Sequence, residues 1–262
     1  MREPDPAAVL VETQAHAAAA GFKVLMPVGE ATRGQPPRPF LDYVLGSLAD
    51  AGFVETAVVI GPEHDAVCRR YEHDSVPRRI SVSFVVQPEP LGTADAVLVT
   101  EAWAGDAPFV VVNGDNLYPV DVLRALRTCD HPAVAAFPRA ELLATSNIPP
   151  ERIAAFALLT ADDAGYLARI VEKPAADAVA AAGANSLVGM NCWRFDARIF
   201  QACAVVPLST RGERELPDAV NLAVQRGVRV KLVPAHGPVL DLSRRSDVVE
   251  VSARLGARAP DL

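Results

Sequence analysis

With 262 residues, half of them hydrophobic and 22% charged, the chain is long enough for one large α/β domain and too apolar to stay disordered. Its formal net charge of −7 argues against a nucleic-acid partner, which needs a basic face, but leaves room for a phosphate ligand held by local lysines and a metal ion. No apolar run is long enough to span a bilayer and the acidic start MREPDPAAV lacks a signal-peptide pattern, so a cytoplasmic protein with no membrane partner is expected.

In chain order, β-branched runs alternate with helical patterns, which predicts a mostly parallel sheet covered by helices. The first half offers strands at 7–13, 54–61, 80–87, 108–115 and 132–137, with helices at 40–52, 63–72, 92–103 and 119–128. Residues 29–39, GEATRGQPPRP, form the most turn-rich loop. After about residue 150 the pattern changes. Three strand-like runs, at 151–159, 166–174 and 186–196, enclose a single helical segment at 175–183, which reads as an antiparallel or mixed lobe added to the first sheet. A helix at 215–227, a strand at 228–234 and a final helix at 246–256 capped by Ser246 complete the chain. There is no internal repeat and no long linker, so the chain reads as one domain with halves at about 7–150 and 151–255. The four cysteines form no C-x-x-C pair and read as core thiols in a reducing compartment.

Ligands of open α/β sheets gather at the carboxyl ends of strands, so polar residues there carry the candidate chemistry. VVVNGDNLYP (110–119) runs an apolar strand into Asp115, a natural Mg²⁺ ligand, behind Gly114, which admits a closely approaching ligand. The same residues also suit an ordinary turn with a solvated aspartate. VVQPEPLGTADAV (85–97) ends a strand at Gln87, whose amide can read a base edge, and opens a helix at Gly92 and Thr93 with free N–H groups. IVEKP (170–174) sets Glu172 and Lys173 at a strand end, and VLDLSRRSD (239–247) places Asp241 in an apolar run.

Taken in order, Lys23-x-Leu-x-Pro-Val, QPEPLGTADAV, NGDN, VEKP, LVGMNCWRFD and VLDL resemble the sugar-1-phosphate nucleotidyltransferases, the NDP-sugar pyrophosphorylases, from about residue 7 to about 255. The resemblance implies a Rossmann-like GT-A fold with a mixed, mostly parallel sheet and a small β-rich sugar-binding lobe. It implies joining of an NTP to a sugar or cyclitol 1-phosphate with release of pyrophosphate, through in-line attack at the α-phosphorus. Asp115 and Asp241 would hold Mg²⁺, and Lys23 would stabilise the transition-state charge. Gln87, Gly92, Thr93 and Gly114 would hold the nucleotide. Asn116, Glu172, Lys173 and Asn191 would hold the sugar phosphate. Relatives are commonly homo-oligomers, an expectation that extends to this chain.

The chain departs from the family's Gly-x-Gly-Thr/Ser-Arg loop. Aligned without a gap back from Lys23, Gln14 and His16 stand at the two glycines and Ala18 at the arginine. A phosphate nest and a charge-assisted contact are then missing, unless Arg33 or Arg38 of the 29–39 loop reaches the triphosphate. Ala155 or Ala157 stands where relatives often have a glycine near the sugar. Retention of Lys23, Asp115, Asp241, Glu172 and Lys173 favours an active nucleotidyltransferase. The altered loop favours an alternative, an impaired paralogue that binds nucleotide or nucleotide-sugar as a regulatory or accessory protein. A metal-dependent glycosyltransferase fits less well, because NGDNL has no Asp-x-Asp.

Overall fold

A computed structural model describes residue 14, residues 23–31 and residues 36–262. The expected strand at 7–13, most of the altered loop and Arg33 lie outside the described residues. No helix among the described residues is long and apolar enough to cross a membrane.

The sheet is built around one long strand. Strands β1 (Pro27–Val28) and β2 (Arg38–Pro39) form a small antiparallel ribbon, and β3 (Glu55–Ile60) pairs with β4 (Ser81–Val86) in parallel. Strand β5 (Phe109–Val111) leads through a turn into β6 (Asn116–Leu117). Strands β7 (Ala133–Pro138), β8 (Ala157–Ala161), β9 (Leu167–Val171), β10 (Leu187–Phe195) and β11 (Lys231–Pro234) order as β11-β7-β10-β8-β9, with β5 also on β10. Strand β10 runs antiparallel to β5, β7 and β8, while β11 runs parallel to β7, so the sheet is mixed. The last strand, β12 (Leu240–Asp241), pairs with β6 and sets Asp241 opposite Asn116.

Alternation of side chains explains why both faces of this sheet are buried. On β7, Ala133, Ala135 and Phe137 enter one core with Val188, Met190 and Cys192. Val134 and Ala136 enter the other with Trp193 and Phe195. The first core is covered by helices Phe40–Asp50, Val120–Thr128 and Asp247–Leu255, and the second by Thr93–Leu98, Arg198–Val205 and Leu216–Gln225. All four cysteines are free, with Cys192 and Cys203 buried. Burial pushes the Cys203 thiol up to about 12.

Several expected elements differ in detail. The strand expected over 151–159 begins as a helix, Pro150–Ala154, because a proline at its first turn is already set to a helical φ and good helix formers follow it. The strand expected over 108–115 stops at Val111, and Asn113, Gly114 and Asp115 turn into β6. The helix expected over 92–103 is two, Thr93–Leu98 and Glu101–Ala104. Helices Arg139–Thr145 and Arg198–Val205 escape the sequence reading. Ser246 makes no side-chain cap; the carboxylate of Asp247 accepts from the Ser243 and Arg244 N–H groups instead.

Candidate functional site

The turn after β5 places Asp115 at the sheet's carboxyl edge, and the 3-10 turn Lys23–Leu25 brings Lys23 to it. Lys23 Nζ donates to Asp115 Oδ2 at 2.5 Å, across 92 residues of sequence. The Asp115 side chain is 17% exposed and that of Lys23 41%, so both charges face a crevice rather than the core. Thr93, Gly114 and Asn191 line the same crevice. The cavity there measures about 920 Å³.

Strained backbone marks two of the expected positions. Lys173, at φ 42°, and Asn191, at φ 53°, are the two non-glycine residues in the left-handed region among the described residues. Such conformations cost free energy and persist where the surroundings over-determine them, commonly at ligand sites. Glu172 and Lys173 stand exposed just beyond β9. Crowding removes water from the Glu172 carboxyl, and with nearby Glu215 and Asp218 this holds it above the usual carboxylate range, against the pull of Lys173 and Arg211.

Gln87 is fixed by acceptors alone. Its Nε2 donates to the Gly92 carbonyl at 3.1 Å and to Asp95 Oδ2 at 2.9 Å, and Asp95 is 8% exposed. Gly92 has φ 105°, and a Cβ there would lie 2.5 Å from the Arg214 carbonyl, so glycine is required. The Thr93 hydroxyl accepts from the Leu216 N–H, tying the same turn to the 213–216 loop. Gly114 differs: its φ lies outside the left-handed region and, among the described residues, a Cβ would touch only Val24 at 3.5 Å.

Asp241 and Asn116 depart from expectation. Asn116, expected against the sugar phosphate, is 4% exposed. Its amide donates to Asp241 Oδ2 at 3.1 Å and accepts from Asn113, so it is a buried link. Asp241 Oδ1 accepts from the Arg152 guanidinium and from the Ser243 N–H at 2.9 Å. Asn147 clamps the Asp241 backbone through both its N–H and its carbonyl at 2.8 Å. Arg152 also bridges to Asp247 at 3.2 Å. Both oxygens of Asp241 are therefore engaged within the protein, whereas Asp115 has Lys23 as its side-chain partner. Sequence reading missed Arg152, Asp247, Asn147 and Asp95, and PPER with its helix-opening prolines was the signal available for Arg152.

Arg38 is engaged within the protein. Its Nε donates to Asp42 Oδ2 at 2.8 Å, and the fully buried Asp42 also accepts from Arg70 at 2.9 Å and the Tyr71 hydroxyl at 2.8 Å. Gln14 donates to the Pro27 carbonyl at 3.0 Å; His16 and Ala18 lie outside the described residues.

The nucleotidyl transferase family model matches residues 30–253. A low-salt glycan biosynthesis nucleotidyltransferase of Haloferax volcanii is 26% identical over 235 residues, covering 88% of this chain and 59% of its own length. A glucose-1-phosphate thymidylyltransferase of Streptomyces griseus is 29% identical, with the same two coverages. A UTP–glucose-1-phosphate uridylyltransferase of H. volcanii is 26% identical, covering 83% of this chain and 84% of its own. The chain thus spans about three fifths of the length of the first two relatives. The solved structure of a UDP-glucose pyrophosphorylase complexed with UDP-glucose superposes with a TM-score of 0.68 over 88% of this chain and 89% of its own, at 19% identity, which establishes a shared fold.

Proposed function

The chain belongs to the nucleotidyl transferase family, and on that premise we propose that it joins a nucleoside triphosphate to a sugar 1-phosphate, giving an NDP-sugar and pyrophosphate. Relatives named for glucose 1-phosphate with UTP or a thymidine nucleotide make those the first substrates to test. The observation that carries the reading is the Lys23–Asp115 pair at the carboxyl edge of β5, facing a crevice that Asn191 also lines.

In this reading an oxygen of the sugar phosphate attacks the α-phosphorus of the NTP. The new P–O bond forms as the bond to the β-phosphate oxygen breaks, and pyrophosphate leaves with that electron pair. No covalent protein intermediate is needed, so the side chains position reactants and balance charge. The Lys23 ammonium lies against the transferred phosphoryl group and stabilises its developing charge. The Gln87 oxygen accepts from the base, and Glu172 and Asn191 bind sugar hydroxyls, with Lys173 on the sugar phosphate.

A divalent cation fits at Asp115, whose carboxylate faces the crevice, because Mg²⁺ is commonly held by one or two carboxylates plus substrate phosphates. When bound, Mg²⁺ would neutralise phosphate charge and polarise the reacting phosphorus. Asp241 fits less readily while Arg152, Ser243 and Asn116 engage its oxygens, and its part here is to hold β12 against β6. We place the protein in the cytoplasm, as a homo-oligomer with no nucleic-acid partner.

The test is pyrophosphate release by the purified chain with Mg²⁺, glucose 1-phosphate, and UTP or dTTP. Turnover that Asp115→Asn abolishes supports the reading. Nucleotide binding without turnover would select the accessory paralogue instead.

A further inference from the structure

Strand β10 changes partners along its length. Leu187, Val188 and Gly189 pair with β8, Trp193, Arg194 and Phe195 pair with β5, and β7 lies along the opposite edge. Between Gly189 and Trp193, β10 advances four residues while β7 advances two, from Ala136 to Val134. Two extra residues are thus looped into the ladder where the sheet divides. Met190 and Cys192 stay in the core, 4% and 0% exposed, and Asn191 between them lines the crevice with Lys23 and Asp115. It does so at φ 53°, which asparagine tolerates better than most side chains but less well than glycine.

A bulge strips carbonyls of their ladder partners, and a buried carbonyl without a donor is costly. Tyr118 provides the donor. Its hydroxyl lies 2.6 Å from the Met190 carbonyl and 3.4 Å from that of Asn191, on a residue 3% exposed. Burial holds this phenol well above the usual tyrosine range, so it keeps its proton. Tyr118 follows Asp115 by three residues, so a single hydroxyl ties the segment carrying Asp115 to the bulge carrying Asn191.

We propose that Tyr118 is a positioning residue: its hydroxyl holds the β10 bulge in the strained form that presents Asn191 to the sugar phosphate. The inference rests on the reaction proposed above. The strain belongs to ligand binding and not to folding, since glycine at 191 would hold the same turn without it.

Tyr118→Phe removes one oxygen, and the probes are glucose 1-phosphate and UTP with the full chain. The KM for glucose 1-phosphate should rise about tenfold, the loss expected from one hydrogen bond, while that for UTP stays within about twofold. Asn191→Gly should raise the melting temperature and yet raise the glucose 1-phosphate KM to a similar extent. The double variant should weaken that substrate no further than the more impaired single variant, because both changes act through one bulge. An unchanged glucose 1-phosphate KM in Tyr118→Phe with native near-UV circular dichroism would overturn the proposal. So would an equal rise in both KM values. Should Tyr118→Phe not fold, Asn191→Gly still tests the premise: unchanged glucose 1-phosphate binding overturns the proposal, and a more stable protein with weaker binding supports the strained Asn191 on which it depends. Calorimetric titration of the wild type separates the two layers. A wild type that binds neither substrate defeats the proposed reaction and this role together. A wild type and a Tyr118→Phe variant that bind glucose 1-phosphate equally well defeat only the role of Tyr118.

Discussion

Gly92→Ala should unsettle the whole joint between the 87–95 segment and the 213–216 loop. Gly92 sits at φ 105°, ψ −177°, and an added Cβ would lie 2.5 Å from the Arg214 carbonyl oxygen and 2.8 Å from the Arg214 nitrogen. Both are backbone atoms with little freedom to move. Around them run Ala94 N–H to the Arg214 carbonyl at 2.9 Å, Arg214 N–H to the Leu91 carbonyl at 2.7 Å, and Leu216 N–H to the Thr93 hydroxyl at 2.9 Å. The backbone conformation costs alanine about 1–3 kcal/mol. Relief of the clash loosens at least one of those hydrogen bonds, at about 1 kcal/mol each. The sum is roughly 3 kcal/mol, which for a domain of this size lowers the melting temperature by roughly 6–12 °C. Because the Gly92 carbonyl also accepts from Gln87, the KM for the NTP should rise more than that for glucose 1-phosphate. The control is Gly114→Ala, whose Cβ meets only Val24 at 3.5 Å among the described residues and whose stability should stay within about 0.5 kcal/mol of wild type. A Gly92→Ala protein melting with the wild type by calorimetry, and binding NTP equally well, would refute the reasoning.

Lys23→Ala should lower kcat by about two orders of magnitude, with circular dichroism unchanged because the half-exposed ion pair contributes little to stability. Arg152→Met should cost about 3 kcal/mol or more in denaturant unfolding, since it leaves Asp241 and Asp247 buried without their cation, and adding Asp247→Asn should recover part of the loss. Glu172→Gln should stabilise the protein near neutral pH. Desolvation, then Glu215 and Asp218, raise the folded-state pKa of Glu172, so the fold binds its proton more tightly than the unfolded chain does. Wild-type stability relative to the glutamine variant should therefore fall as pH rises from about 4.3 through the raised value. Equal pH profiles for the two proteins would contradict that assignment.

Local patterns were legible wherever neighbours in sequence decide the outcome. Near-continuous apolar runs such as FVVV and AVAAF became strands that pack into a core on each face, and Gly92 was recognisable as the opening of a helix. The order of QPEPLGTADAV, NGDN and VEKP carried the family, which the match over residues 30–253 bears out. The run ERIAAFALL read as a strand over its whole length, though its first residues fold as a helix. The preceding proline and a buried Ile153 on a helical turn prevailed.

What the sequence determined by itself, then, was the fold class and the family, because apolar periodicity and an ordered set of strand-end motifs survive in one dimension. The tertiary structure alone decided what each polar group faces. Lys23 reaches Asp115 across 92 residues, Arg152 reaches Asp241 across 89, and Tyr118 reaches Met190 across 72. Asp115 and Asp241 looked alike as aspartates in apolar surroundings. They differ because the energy of a carboxylate depends on which donors surround it in space, and no spacing along the chain records that.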